Sequence, residues 1–372
     1  MKKKITLAFI LVALLLTGCE KNSETDGGYS RIVSPYINVC NNGELYTDNS
    51  ERLLFCDFES MRTAYICAKP NCPHTDENSC SAFGLSHHPI LYGGSIYYFT
   101  YDIYMNDDRE YQFVTYIHKA DSDGTNRKEI YKIDGLHVSI GDRMIVDGSK
   151  IYFTAEDVEF DEYGSSTNYT VGYLCSYDLE SGVFENMAEI YKGYSSGDWV
   201  FGMWNGNIYY HTSVSENKID WNSIDIGTDD VMSFYTIKQY CLNIAEKSVS
   251  ENDLPDTIYV GEGYYIYETD SGICLKSENG DDIFIDNFKA GSSLIYILNG
   301  YVISSDGGVC ADINTGRVYK INPEYASPSA FYKPVYYLNG NYILEKPLAN
   351  VESMTDMYVA VSESDYIGEE IV

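Results

Sequence analysis

Histidine, tryptophan and proline are scarce in this chain, with six, three and nine copies among 372 residues. Six histidines leave little room for a hidden catalytic pair. Three tryptophans (Trp199, Trp204 and Trp221) make a platform of stacked rings hard to build. No phosphate-cradling glycine loop and no His-Glu-x-x-His is present, which removes two common nucleotide-binding and metallopeptidase signatures. Basic residues are outnumbered, 25 against 56 acidic ones. Such a surface repels phosphate backbones and anionic headgroups, so nucleic acid is excluded as a partner. Long apolar runs are missing as well, apart from Ile5 to Leu16. Twelve residues fall short of the ~20 needed to span a bilayer.

That run has a different use. Lys2, Lys3 and Lys4 precede it, and Leu16-Thr17-Gly18-Cys19 follows it. The order of a basic stretch, an apolar stretch and small residues is that of a secretory signal. An aliphatic residue, two small ones and a cysteine resemble the lipobox of bacterial lipoproteins. The resemblance implies cleavage after residue 18, lipid on Cys19 and an address on the extracytoplasmic face of a cell membrane. Two or three acyl chains, at ~0.8 kcal/mol per buried CH₂, anchor a protein stably. Residues 1–18 are therefore expected to be the signal and 19–34 a polar tether, leaving 35–372 as the folded domain. Without the signal, 22 basic residues remain and the net charge is near −34.

Charge alone does not make this chain disordered, because 44% of its residues are hydrophobic and 15% aromatic. Its 37 tyrosines and 30 glycines favour strands and turns. A turn glycine followed by a tyrosine-rich run recurs seven times. The runs begin at Gly43, Gly94, Gly148, Gly206, Gly263, Gly300 and Gly340, at spacings of 51, 54, 58, 57, 37 and 40 residues. Gly94-Ser95-Ile96-Tyr97-Tyr98 and Gly206-Asn207-Ile208-Tyr209-Tyr210 are typical. Each repeat has a second half with a hairpin step such as Ser181-Gly182 or Asn279-Gly280, suited to tight turns. Periods of 40–50 residues carrying several short strands are those of propeller blades. The expected fold is all-β: one closed β-propeller of about seven blades, six or eight being the alternatives, each a four-stranded antiparallel sheet. Longer early spacings leave room for insertions at Asp157–Thr170 and Val214–Thr228.

The repeats resemble TolB-type and low-density-lipoprotein-receptor-type β-propellers, and most of all the lipoprotein propellers of Gram-positive gut bacteria. The likeness covers residues 35–372. It implies a propeller and a surface address and brings no established activity, since fold alone settles none. Those lipoproteins carry a Cys-x-x-Pro-x-Cys-x-His…Cys stretch, which here spans Cys67, Pro70, Cys72, His74 and Cys80.

This cluster is the sharpest local chemistry in the sequence. Three thiolates and an imidazole make a tetrahedral Zn²⁺ set, although Cys-x4-Cys-x-His-x5-Cys matches no common zinc-finger spacing. A disulfide, Cys67–Cys80 or Cys72–Cys80, is the first expectation outside the cytoplasm. A structural metal is the second and free thiols the third. His87 and His88 stand close enough in sequence to be extra ligands. Once Cys19 is lipidated nine cysteines remain, so full pairing within one chain is impossible. Cys175, Cys241, Cys274 and Cys310 fall in strands of separate repeats and read as small buried hydrophobes, whereas Cys40 and Cys56 flank the first hairpin.

Other candidates carry less. Asp121-Ser122-Asp123-Gly124 begins like a calcium loop but lacks the downstream acidic ligand and reads as a hairpin turn. The acidic run Asp157, Glu159, Asp161 and Glu162 reads as a solvated insertion, and Trp221 as an exposed ring. The function expected is a surface-anchored binding or interaction module for a protein, glycan or small-molecule ligand. The alternative is a hydrolase or lyase acting on glycans or peptides at the mouth of the channel.

Overall fold

The computed structural model describes residues 31–33, 37–40, 43–48, 50–85, 88–106, 110–138, 144–219, 234–252, 257–278, 280–288, 295–304, 308–327, 330–347, 351 and 353–371. Cys19, His87 and Trp221 lie outside them, as do the side chains of Cys40 and Trp199.

The strands follow one another in antiparallel meanders, one for each sequence repeat. The first holds β2 (Ile37–Cys40), β3 (Gly43–Thr47), β4 (Leu53–Asp57) and β5 (Arg62–Tyr65); β1 (Arg31–Val33) precedes it. The second holds β6 (Ile90–Tyr92), β7 (Ser95–Met105), β8 (Tyr111–Asp121) and β9 (Lys128–Asp134). In the third, β10 (Met144–Asp147), β11 (Lys150–Phe160) and β12 (Ser166–Asp178) are joined by the first half of β13 (Phe184–Trp204). The second half of β13 opens the fourth, with β14 (Asn207–Ser215), β15 (Thr236–Asn243) and β16 (Ser248–Glu251).

The fifth is β17 (Thr257–Gly261), β18 (Tyr264–Glu268), β19 (Gly272–Ser277) and β20 (Ile283–Asp286). In the sixth, β21 (Ile295–Leu298), β22 (Tyr301–Ser304), β23 (Val309–Asp312) and β24 (Val318–Ile321) are lined up in order. A small hairpin of β25 (Ala326–Ser327) and β26 (Ala330–Phe331) leads to the three-stranded seventh, β27 (Lys333–Leu338), β28 (Asn341–Glu345) and β29 (Tyr358–Ser362). One helical turn, α1 (Glu363–Tyr366), then returns the chain as β30 (Ile367–Glu370) beside β24. The fold is all-β, of the β-propeller class expected from the repeats. Arg31–Val33, placed by the sequence in the tether, pair as β1 with β10.

Six of the seven repeated glycines, all but Gly43, sit at positive φ where two-residue hairpin turns need them. At Asn299-Gly300 and Asn339-Gly340 both residues have positive φ, 52° and 75°, then 51° and 82°. That is the geometry whose twist matches paired strands, and asparagine and glycine tolerate it best. The run after each turn is buried on both faces. Ile151 and Phe153 pack with Tyr97 and Phe99 of the second meander, while Tyr152 between them packs with Ile208 and Tyr210 of the fourth. Farther along, Ile266 and Val302 share one core, and Ile303, Tyr342 and Leu344 another. A meander is thus apolar on both sides, each buried side chain being worth ~2 kcal/mol.

The chain divides into two compact units, one of residues 1–40, 45–54 and 65–252, the other of 41–44, 55–64 and 253–372. Among the described residues, no helix is long and apolar enough to cross a membrane.

The second unit buries one unusual carboxyl group. Glu44 on β3 has no exposed surface. Burial pushes its carboxyl up to about 8; Lys333 and the Tyr358 hydroxyl pull it down, and Glu345 pushes it up. The Lys333 ammonium is paired with Glu345 at 3.1 Å, so one cation already serves one carboxylate and Glu44 keeps its proton. In the unfolded chain the same group ionises near its ordinary value of 4.5. A raised acid favours the folded state most fully below that ordinary value and ceases to as pH rises through about 8. With a tenfold change in proton affinity worth about 1.4 kcal/mol, the loss is on the order of 5 kcal/mol. The melting temperature should fall between pH 5 and 8, and Glu44→Gln, a neutral mimic, should flatten the fall. Parallel curves for the two proteins would show that Glu44 is ionised throughout.

Candidate metal centre

The first meander ends at Tyr65, and the chain then leaves the sheet for a loop that returns at Phe83. Its two ends are strapped to the start of β4: Ile66 N–H donates to the Leu53 carbonyl at 3.2 Å, and Leu53 N–H to that of Ala82 at 2.9 Å. Arg52 and Phe83 form a bridge beside them. Ile66, Cys67, Cys80, Ala82 and Leu85 are buried, whereas most of residues 69–79 are exposed. The outer loop therefore has no apolar core of its own. Turns shape it instead, with Cys72 N–H donating to Lys69 and Ser79 and Cys80 N–H to Asp76. Asn71 and His74 adopt positive φ, 57° and 55°. For His74 this is a conformation that its surroundings must enforce.

Those surroundings are a polar relay. Arg52 donates from Nη1 to the His74 carbonyl at 2.6 Å and from Nε to Asp48 Oδ2 at 2.7 Å. Tyr65 Oη donates to the same Asp48 oxygen at 3.1 Å. The Tyr65 ring lies against the His74 imidazole at 4.5 Å, under the Arg52 guanidinium. Burial pushes the Asp48 carboxyl up, but hydrogen bonds from Arg52, Ser50 and Tyr65 outweigh it and hold the group below its ordinary value. Asp48 is thus a fixed anion that orients Arg52 and Tyr65, which in turn fix the imidazole.

The outcome is convergence. The ligating atoms of Cys67, Cys72, His74 and Cys80 all lie within 4.8 Å of one another, with His74 Nδ1 3.2 Å from Cys80 Sγ. A zinc–sulfur bond of about 2.3 Å gives tetrahedral edges of about 3.8 Å, so the donor set fits a metal of that kind. A single disulfide would use two sulfurs and leave the third and the imidazole without a role. Burial pushes the Cys80 thiol up to about 12, with Cys67 adding to the rise. Cys67 is also raised by burial, yet hydrogen bonds from Ser81, Lys69 and Cys72 hold it below the ordinary thiol. Burial and the Arg52 charge lower His74, favouring the neutral imidazole that a metal requires. A cation among the sulfurs would offset the burial penalty on the thiolates.

The loop is also docked on the second meander. Ser81 Oγ donates to the Asp123 carbonyl at 2.6 Å. Arg127 Nη2 donates to the Ser81 and Phe83 carbonyls at 2.7 and 2.6 Å, and its Nε to Gly124 at 3.0 Å. The Asp121–Asn126 segment is the hairpin turn expected of it, with Asp121 N–H on Thr125 and Gly124 N–H on Asp121. Sequence reasoning found the four donors by their density in a short segment. It missed Asp48, Arg52, Tyr65 and Arg127, which only the strand pairing brings alongside.

The remaining candidates separate. His88 is buried against Phe99, and among the described residues no other group of ligand side chains gathers. Cys175, Cys274 and Cys310 are buried in strands as expected, whereas Cys241 is half-buried beside Ser250. Cys56 is buried and free; its suggested partner Cys40 has a side chain outside the described residues. The Asp157–Thr170 insertion is an ordered continuation of β11 and β12, with Asp161 Oδ1 capping the tip through the Tyr163 and Ser165 amides. Gly193-Tyr194-Ser195-Ser196-Gly197 spells a Gly-x-Ser-x-Gly motif. It runs inside β13, paired with β14, not at the strand-to-helix turn a nucleophile elbow requires.

No family model and no curated protein matches the chain. Among solved structures it is similar to an oligogalacturonate lyase in complex with manganese, at 9% identity over 90% of each chain with a TM-score of 0.42. It is similar also to an oligogalacturonate lyase from Vibrio parahaemolyticus, at 9% identity over 87% of this chain and 88% of that one, TM-score 0.43. A third is the β-propeller domain of the trilobed protease from Pyrococcus furiosus, at 12% identity over 92% and 97%, TM-score 0.38. At such values no activity, metal or ligand passes to this chain.

Gly124 tests the docking of the loop. Its φ is +75°, and a Cβ there would stand 2.1 Å from the Ser81 carbonyl oxygen. Gly124→Ala should lower stability by about 2 to 4 kcal/mol. It should also speed alkylation of Cys72 and Cys80, read by peptide mass mapping. Unchanged melting and unchanged alkylation would mean that the hairpin does not hold the loop.

Proposed function

We propose that this chain is a lipid-anchored β-propeller on the extracytoplasmic face of a cell membrane, working as a binding or protein-interaction module rather than by turnover. In this reading residues 35–372 form one propeller domain whose meanders close into a seven-bladed ring, tethered through lipid on Cys19. Zn²⁺ held by Cys67, Cys72, His74 and Cys80 is its structural ion. The observation that carries the reading is the closed donor set. Four protein ligands would complete a tetrahedral shell and leave no open position for water or substrate, which is the mark of a structural rather than a catalytic site. The sharpest chemistry in the chain is thereby committed to holding a loop with no apolar core.

Purified protein should carry one zinc per chain by elemental analysis, with Cys67, Cys72 and Cys80 protected from alkylation until a chelator is added. Cys80→Ser and His74→Ala should each release the ion and lower the melting temperature by several degrees. A disulfide in its place would leave His74→Ala without effect and give a two-dalton mass deficit per bridge. A disulfide closing such a loop contributes ~3 kcal/mol, so Cys80→Ser alone does not separate the two; His74→Ala does.

The address has its own test. Wild type should incorporate labelled palmitate and Cys19→Ala should not, and equal incorporation would sink the anchor. Glycosidase and peptidase substrate panels should show no turnover. Turnover abolished by a single Asp or Glu substitution would overturn the binding reading in favour of an enzyme.

A further inference from the structure

Between the second and third meanders lies an open hollow of about 480 Å³, a size that suits a small ligand. One wall is the end of β9 and the turn after it, residues 131–136. The other is Asp157 of β11, Tyr173 of β12, and Phe184 and Asn186 of β13. All of it belongs to the first unit.

The floor is aromatic. The Phe184 ring lies 5.6 Å from that of Tyr131 and 6.4 Å from that of Phe153, and Tyr131 lies 5.4 Å from Tyr177. Phe153 and Tyr177 are buried in the core that the two meanders share. The half-buried rings of Tyr131 and Phe184 are therefore held from beneath.

The polar groups stand in a row. β11 and β12 pair Asp157 with Val171 and Ala155 with Tyr173, and β12 and β13 pair Cys175 with Asn186. Residues paired across strands, or two apart along one, point to the same side of a sheet. Ala155 and Cys175 belong to the core shared with the second meander, so Asp157, Tyr173 and Asn186 share the face turned toward it. Each is one strand over and two residues along from the last, about 8 Å away. The row crosses the hollow on a diagonal of about 16 Å.

The polar ends of this row are unused. Among the described residues no hydrogen-bond donor reaches the Asp157 carboxylate, and burial alone pushes it up. Nearby acids are engaged: Asp134 by Lys132 at 2.5 Å, Glu156 by the Tyr191 hydroxyl, and Asp161 by the Tyr163 and Ser165 amides. The Tyr173 hydroxyl and the Asn186 amide also lack a hydrogen-bond partner among the described residues. Lys132, already paired and lying over the Tyr104 ring, leaves no free cation for an anionic ligand. Negative charge is not concentrated either, since a neutral phenol and a neutral amide continue the row beyond Asp157.

We propose that the hollow binds a short neutral oligosaccharide, its sugar rings over Tyr131 and Phe184 and its hydroxyls bonded to Asp157, Tyr173 and Asn186. Such a ligand carries hydroxyls along its edges and C–H groups on its faces, which matches polar side chains set over aromatic rings. The Asp157 carboxylate accepts from hydroxyls, the Asn186 amide both accepts and donates, and the Tyr173 hydroxyl does either. The length of the row calls for several linked sugars and not one. The proposal rests on the binding-module reading and names a ligand class for it.

The test titrates the mature protein with neutral tetrasaccharides of glucose, mannose, galactose and xylose by isothermal calorimetry. At least one should bind, with an affinity indifferent to salt. Tetragalacturonate and tetraglucosamine, anionic and cationic counterparts, should bind at least tenfold more weakly. Asp157→Ala and Asn186→Ala should each weaken binding of the neutral sugar at least tenfold, and Tyr173→Phe, which keeps the ring, by a smaller factor. Asp157 and Asn186 are exposed, so their variants should melt within a few degrees of wild type. No binding of any neutral tetrasaccharide, equal binding of a charged one, or binding indifferent to both alanine variants would each overturn the glycan site. Such a failure leaves the binding-module reading to the substrate panels, where turnover and not silence overturns it.

Discussion

Everything in this structure depends on a sheet that is apolar on both of its faces. An isolated meander with Ile151 and Phe153 on one side and Tyr152 on the other has no stable orientation in water. The third meander is covered twice, by the second on one face and the fourth on the other. Within each unit the requirement passes from one meander to the next, so stability there comes from a series of sheets and not from any one of them. It also explains the tyrosines. A ring filling the space between twisted sheets can keep its hydroxyl near polar groups at the margin, so tyrosine gives bulk without an obligatory buried void.

The parts of the fold that follow from local rules were the parts legible in the sequence. Glycine and asparagine at positive φ mark the turns, and the Ile-Tyr-Tyr runs mark strands buried on both faces, so class and repeat could both be read. Cys67, Cys72, His74 and Cys80 were legible because four ligand-type side chains fall within one short loop. What holds them was not. Asp48 and Arg52 sit on the far side of a strand pair, and Arg127 in the next repeat, so their meaning exists only once the strands are aligned. The end of the β11–β12 hairpin was hidden for a subtler reason. Along Asp157 to Glu162 the acids alternate with Val158 and Phe160 as in a strand, but their charge made the segment read as a solvated insertion where β11 and β12 in fact continue.

Two kinds of buried polarity coexist and answer to different physics. Glu44 evades the cost of burial by keeping its proton, since its one available cation is already engaged by Glu345. Asp48 stays ionised because Arg52 and two further donors reach it. The contrast shows that depth alone does not decide the state of a carboxyl; the number of donors that can reach it does.

β13 has a further consequence. Its 21 residues are the last strand of the third meander and, without interruption, the first strand of the fourth. Elsewhere among the described residues the last strand of one meander ends before the first strand of the next begins. Here the backbone amides of Phe184–Trp204 belong to a single rod, and fraying at either end pulls on the other sheet. In native-state hydrogen exchange the amides of β11, β12, β14 and β15 would then share one opening free energy and form a single cooperative foldon of two blades.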